Sequence, residues 1–183
     1  MNMTVHRTPA SAVAAPFVLA ELKDHLRIED DASDFEIQRI ARAAAAEMEQ
    51  FAQVALLTQT VTLTAFDPPP DAYLRLPVGP VAQDHTPAVT MDGAAFTDFM
   101  FVAGIRPVIR WGATWRTQAP LVLEVEYTAG FGPQASDIPA DLAQAIRDQA
   151  ALHYDGRSPM DAKALTISPH MARIGARYRG VQA

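Results

Sequence analysis

Cysteine is absent from this 183-residue sequence. No disulfide and no thiolate zinc site can therefore hold its fold. Lysine is almost absent: of the fifteen Lys and Arg residues, only Lys23 and Lys163 are lysine. Arginine suits planar, bidentate and stacked contacts at interfaces, and GC-rich coding would give the same bias. No apolar run approaches the roughly 20 residues of a membrane span. Repeats and low-complexity tracts are missing too. Positive charge is scarce overall, with a net charge of −6. That argues against a nucleic-acid coat but leaves room for a local basic patch. What remains is 49% hydrophobic and 20% charged, enough to bury a core over one domain or one domain with an insertion.

The hydrophobic period changes along the chain. Residues 1–16 read as a flexible N-terminal arm. A secretion signal is the competing reading, opposed by Pro9 and Pro16. Residues 17–57 read as helical. "FVLAELKDHLRI" sets Leu19, Leu22 and Leu26 at helical spacing, and "EDDASD" makes an acidic turn. Ser33 or Asp34 is placed to cap a second helix, whose expected core stripe is Phe35, Ile37, Ile40, Ala44, Met48 and Phe51. From Thr58 the period drops to two. "TQTVTLTAF", "YLRLPV", "AVTMDG", "FTDFMFV", "RPVIRW" and "LVLEVEY" read as short strands, with a turn at Asp92-Gly93. They form a small antiparallel β-module over 58–128. Residues 129–157 return to a helix, with Asp137 as the expected N-cap and Gly156 as the C-cap. Residues 158–183 read as a basic tail, with a short helix possible near 160–165 and an extended or weakly helical end. The predicted fold class is α+β. A helical framework of two N-terminal helices and one long C-terminal helix carries an inserted β-module and an extended basic C-terminal tail.

Patterns that carry chemistry are few. "EDDASD" lacks the central glycine and distal glutamate of a calcium loop, and reads as a capping turn. The histidines His6, His25, His85, His153 and His170 show no metal-ligand spacing. No serine has the glycine frame of a nucleophile elbow, and no glycine cluster forms a phosphate cradle. The sequence thus predicts no catalytic residue, cofactor or metal. "RWGATWR" admits two readings: Trp111 and Trp115 as a stacking surface for a sugar or base, or one in the core and one at its rim. "SPHMARIGARYRGVQA" is the main anomaly, since Arg173, Arg177 and Arg179 flank Met171, Ile174 and Tyr178 in an acidic protein. A docking segment that orders on a partner, a disordered end and a nucleic-acid arm all remain open for it.

Three stretches together carry a family likeness. "LKDHLRIEDDASD" running on to "IARAAAAEMEQFAQVALLTQTVTL" resembles the opening of the head–tail connector (adaptor) proteins of long-tailed phages, prophages and gene transfer agents. "EYTAGFGPQASDIPADLAQAIRDQAALHYDGR" resembles their central signature, and "SPHMARIGARYRG" their C-terminal segment. The resemblance covers the chain from about residue 17, and the middle matches only in being β-rich. It implies a structural role without catalysis, in the virion or phage-like particle. The subunit would form a ring, usually a dodecamer, beneath the portal protein. It would extend the DNA channel without binding DNA specifically, and present a surface to a downstream neck, stopper or tail protein. Carried over, the likeness puts Met171, Arg173, Ile174, Arg177, Tyr178 and Arg179 at the portal. The alternative is a nucleic-acid-binding accessory protein that uses the arginine tail.

Overall fold

The computed structural model of the chain describes residues 2–11, 13–156 and 166–179. The short helix expected near 160–165 lies outside them. In chain order the elements begin with β1 (Asn2–Pro9), α1 (Leu19–Leu26) and α2 (Asp34–Ala52). Strands β2 (Gln59–Phe66), β3 (Tyr73–Arg75), β4 (Ala88–Met91), β5 (Ala94–Ala95), β6 (Phe99–Val102) and β7 (Val108–Trp111) follow. Then come α3 (Trp115–Gln118), β8 (Val122–Ala129), a 3-10 turn (Ala135–Asp137), α4 (Ala140–Asp155) and α5 (Pro169–Arg179). Helices and antiparallel strands both contribute, so the class is α+β. The chain divides into two compact units: Met1–Ala12 with Thr58–Phe131, and Val13–Leu57 with Gly132–Ala183.

The first unit is built of strands. One sheet has the order β1-β2-β8-β4-β5 and the other β3-β7-β6, all pairs antiparallel. Alternation decides which way each strand faces. Val61, Leu63 and Ala65 of β2 and Leu123, Val125 and Tyr127 of β8 are fully buried, while the threonines and glutamates between them face outward. The Tyr127 hydroxyl accepts a hydrogen bond from the Val78 N–H at 3.2 Å. Burial pushes its pKa far up. Asp92 and Gly93 both take positive φ, 49° and 83°, in the two-residue turn joining β4 to β5. The Asp92 carboxylate also accepts from the Val122 N–H at 2.8 Å, pinning the turn to the start of β8.

Two expectations fail in this unit. Residues 1–16 are not wholly a flexible arm: β1 pairs with β2 over its full length, from Asn2↔Phe66 to Pro9↔Gln59. The physical reason is the open edge of β2, whose backbone groups need partners. Pro9 stands at the last position, where a missing donor costs the ladder least. The tryptophans do not split between core and rim. Trp111 and Trp115 are 8% and 3% exposed and stack on each other at 4.3 Å with 14° between planes. Phe96 meets both edge-on. A stacking platform for sugars or bases needs an open aromatic face, and these two cover each other. Beside them, Pro68, Pro69, Tyr73 and Leu123 line a cleft of about 20 Å³, room for a water or so.

The second unit is helical. Lys23 of α1 reaches Asp31 at 2.5 Å and Asp34 at 2.8 Å, which holds the turn into α2. The Asp31 bond holds the lysine above its ordinary pKa and the carboxylate below its own. Asp30 Oδ1 accepts from the Ala32 N–H, so "EDDASD" is a local turn. Ser33 stands at the N-cap position of α2 without a capping side-chain bond. Phe35, which the spacing places in the core, is 82% exposed. It lies two residues, about 200° of helical rotation, from Ile37. The buried row is Ile37, Ile40, Ala41, Ala44, Ala45, Met48 and Ala52. Asp137 does not cap α4, which starts after Pro139. Its carboxylate accepts instead from the Gln134 N–H at 2.9 Å and closes the 3-10 turn. Gly156 is the C-cap residue of α4.

Candidate docking surface

Within the segment expected to be an extended tail, Pro169–Arg179 is a helix, and it is folded onto its own unit. Ser168 and Pro169 explain where it starts. The Ser168 hydroxyl accepts from the Met171 N–H at 3.1 Å, its carbonyl accepts from the Ala172 N–H at 2.9 Å, and Pro169 takes the first helical position. Spacing explains which face turns inward. Met171, Ile174 and Tyr178 recur at three and four residues, so they form one stripe. Met171 is fully buried and Ile174 is 2% exposed. Between them and Tyr178 sits Gly175. A methyl there would collide with the Phe51 ring of α2, so only glycine allows this approach.

The entry to α5 is read by one buried side chain. Gln149 of α4 is 1% exposed. Its Oε1 accepts from the Ser168 N–H at 2.8 Å, and its Nε2 donates to the Thr166 carbonyl at 3.2 Å. The same nitrogen faces Glu47 Oε2 at 3.0 Å and His153 Nε2 at 2.8 Å. Asp148, one residue earlier, gathers three elements. It bonds His170 Nδ1 of α5, lies 3.2 Å from His25 Nε2 of α1, and accepts from Gln144 Nε2 at 2.7 Å. His153 Nε2 also lies 3.2 Å from Glu47 Oε2 of α2, so His25 and His153 both tie helices together. No sequence spacing marks them, because their acidic partners lie on other helices and come near only on packing.

The six residues assigned to docking divide by exposure. Met171 and Ile174 belong to the core of their own unit. Tyr178 is half-buried and donates its hydroxyl proton to Asp141 Oδ1 at 2.9 Å. Burial first, and then that bond, push its pKa up to about 12. Arg173, Arg177 and Arg179 face solvent. Arg173 and Arg177 are four residues apart and share one face of α5. Arg177 lies 3.8 Å from Asp141 Oδ2 with its side chain 65% exposed. What α5 offers a partner is therefore a set of guanidinium groups on a rigid helix. Among the described residues no three His, Asp or Glu side chains are placed to hold one metal ion, and no helix is long and apolar enough to cross a membrane.

No protein-family model matches the chain, and no curated protein sequence matches it. Among solved structures, one described as the virion of the native gene transfer agent particle contains a similar chain. The two share 28% identity at a TM-score of 0.74, over 97% of this chain and 96% of that one. A chain in the neck of the empty particle, computed with C6 symmetry, shares 29% identity at a TM-score of 0.70, over 98% and 97%. A chain in the neck of the native particle, computed with C12 symmetry, shares 28% at 0.71, over 98% and 97%.

Proposed function

We propose that this chain is a structural neck subunit of a gene-transfer-agent-like particle, acting as its head–tail connector. The observation that carries the reading is a likeness running through both units, nearly end to end, to virion and neck components of such a particle. The protein is accordingly a component of the particle, and its role is architectural and not enzymatic. The C6 and C12 symmetries of the similar necks favour a ring, with twelve copies as the expected number. Such a ring joins the portal to the next neck or tail protein and extends the channel for DNA. Residues 17–57 and 129–157 form its helical framework, 58–128 its β-module, and 158–183 the segment that docks.

The docking role falls to α5 in an altered form. Arg173, Arg177 and Arg179 make the contact with the portal. Met171, Ile174 and Tyr178 hold the helix that presents them. A ring multiplies such a contact, because many weak sites engage at once. Guanidinium groups suit it, since they form paired, charge-assisted bonds to carboxylates.

Deleting the helix would strip Met171 and Ile174 from the core, so the clean test is on its surface. Wild type and an R173E/R177E/R179E variant are mixed with the cognate portal, and complex mass is read by sedimentation velocity. The variant should melt like wild type and bind the portal at least about tenfold more weakly. Equal binding by the variant removes α5 as the docking site. Failure of wild type to form any complex removes the connector reading. The nucleic-acid alternative uses the same arginines, and would show as DNA affinity that falls steeply with salt.

A further inference from the structure

The β-unit presents two outward faces of opposite charge. In the three-stranded sheet, Arg110 stands opposite Tyr73 on one side and Met100 on the other. Val108 stands opposite Arg75 and Val102 in the same way. Residues opposite one another across antiparallel strands share a face. This face is in solvent: Tyr73, Met100 and Val102 are 53%, 62% and 52% exposed, and both arginines are exposed. The Arg75 guanidinium lies over the Tyr73 ring, 5.7 Å from its centre. No strand position on this face is acidic.

The five-stranded sheet has the opposite character. Glu124 stands between Thr64 and Thr90, and Glu126 between Thr62 and Ala88. Thr4 and His6 of β1 extend the same rows. Both glutamates are exposed, and no strand position on this face is lysine or arginine. The buried sides of the two sheets meet where Leu123 of β8 and Trp111 of β7 line one cleft. Their outer faces therefore look away from each other. Arg75, Arg110, Glu124 and Glu126 have no ion-pair partner among the described residues.

We propose that these two faces meet between neighbouring copies. The Arg75–Arg110 face of one chain seats on the Glu124–Glu126 face of the next. The inference rests on the ring reading above and names the surface that builds the ring. Spacing supports it. Arg75 and Arg110 are diagonal neighbours across β3 and β7, about 7–8 Å apart at Cα. Glu124 and Glu126 are two residues apart on one strand, about 7 Å. Two guanidinium groups can thus address two carboxylates at once. Tyr73, Met100 and Val102 would lose their exposure against the threonine methyl groups of the acidic face. A contact between two different faces propagates head to tail, and it closes into a ring when its rotation divides a full turn. The chain carries both halves of its own interface.

A charge exchange tests it. All four charged side chains are exposed, so R75E/R110E, E124R/E126R and the four-fold variant should keep the wild-type melting transition. Each two-residue variant should lose the assembled fraction by about tenfold or more in sedimentation velocity, and the four-fold variant should regain it. Added salt should shift wild type in the same direction as the reversals. A second measurement uses the absence of cysteine. R110C and E126C chains, mixed and mildly oxidised, should give a disulfide-linked pair that neither chain gives alone. If rings persist in the reversed variants and no mixed disulfide forms, this interface is wrong and the ring reading stands. If wild type forms no ring at any concentration, alone or with the portal, both are wrong.

Discussion

Besides the buried stripe and the bonds at its start, α5 is tied to α4 near its end by the Tyr178 hydroxyl, and alkali acts on that group. Its pKa is pushed up to about 12, by burial and then by the bond to Asp141. A free tyrosine ionises near 10. Below pH 10 both the docked and undocked states hold the proton, so docking is unaffected. Between about 10 and 12 only the undocked state releases it, so docking of α5 weakens steadily as pH rises. Tyr127 is held still higher by its burial, so tyrosinate absorbance should show a group titrating near 12 that disappears in Y178F while Tyr127 remains un-ionised. Loss of α5 structure should begin near pH 10 in wild type. An unshifted tyrosine titration would remove the hydroxyl from this role. Such a bond was not legible in the sequence. Tyr178 was visible as an anchor, but its partner Asp141 lies 37 residues away on another helix. The sequence gives the stripe, and only packing gives the acceptor.

At the level of elements, the strands of the β-unit were legible because alternation records both sides of a sheet at once. "TQTVTLTAF" and "LVLEVEY" became β2 and β8 almost residue for residue. Short β5 and α3 were not foreseen, and two larger elements, β1 and α5, escaped for different reasons. β1 has little apolar content to mark a buried side, and it exists because the edge of β2 offers eight partners. α5 has a helical stripe in Met171, Ile174 and Tyr178, but the arginines and prolines around that stripe fit an extended basic segment equally well. The attachment of α5 depends on the Gln149 amide, which satisfies the Ser168 N–H and the Thr166 carbonyl together. In Q149L the Ser168 N–H, on a buried residue, loses that partner, at a cost of about 1–3 kcal/mol. Hydrogen exchange should then quicken throughout Pro169–Arg179 and stay unchanged in β2 and β8. Uniform quickening across both units would mean that α5 is no separate unit of opening.

For the molecule as a whole, the balance of charge bears on its neighbours. A net charge of −6 repels DNA on average, and the exposed arginines of α5 are a local exception. On the proposed connector role, the protein should show no retention on duplex DNA at physiological salt, measured by a mobility shift. Tight, salt-sensitive retention would favour the accessory-protein alternative. The order of the units along the chain has a separate consequence, which concerns synthesis. The chain enters the β-unit, leaves it after Ala12, returns at Thr58 and leaves again after Phe131. β1 is made before its partner β2, which emerges only after both α1 and α2 have been made. A ribosome must therefore release about fifty residues before the first strand finds its place, a closure that long-range pairing makes slow. Genetic exchange meets the same arrangement. One crossover anywhere between Ala12 and Phe131 splits the β-unit, so each unit is inherited with the other.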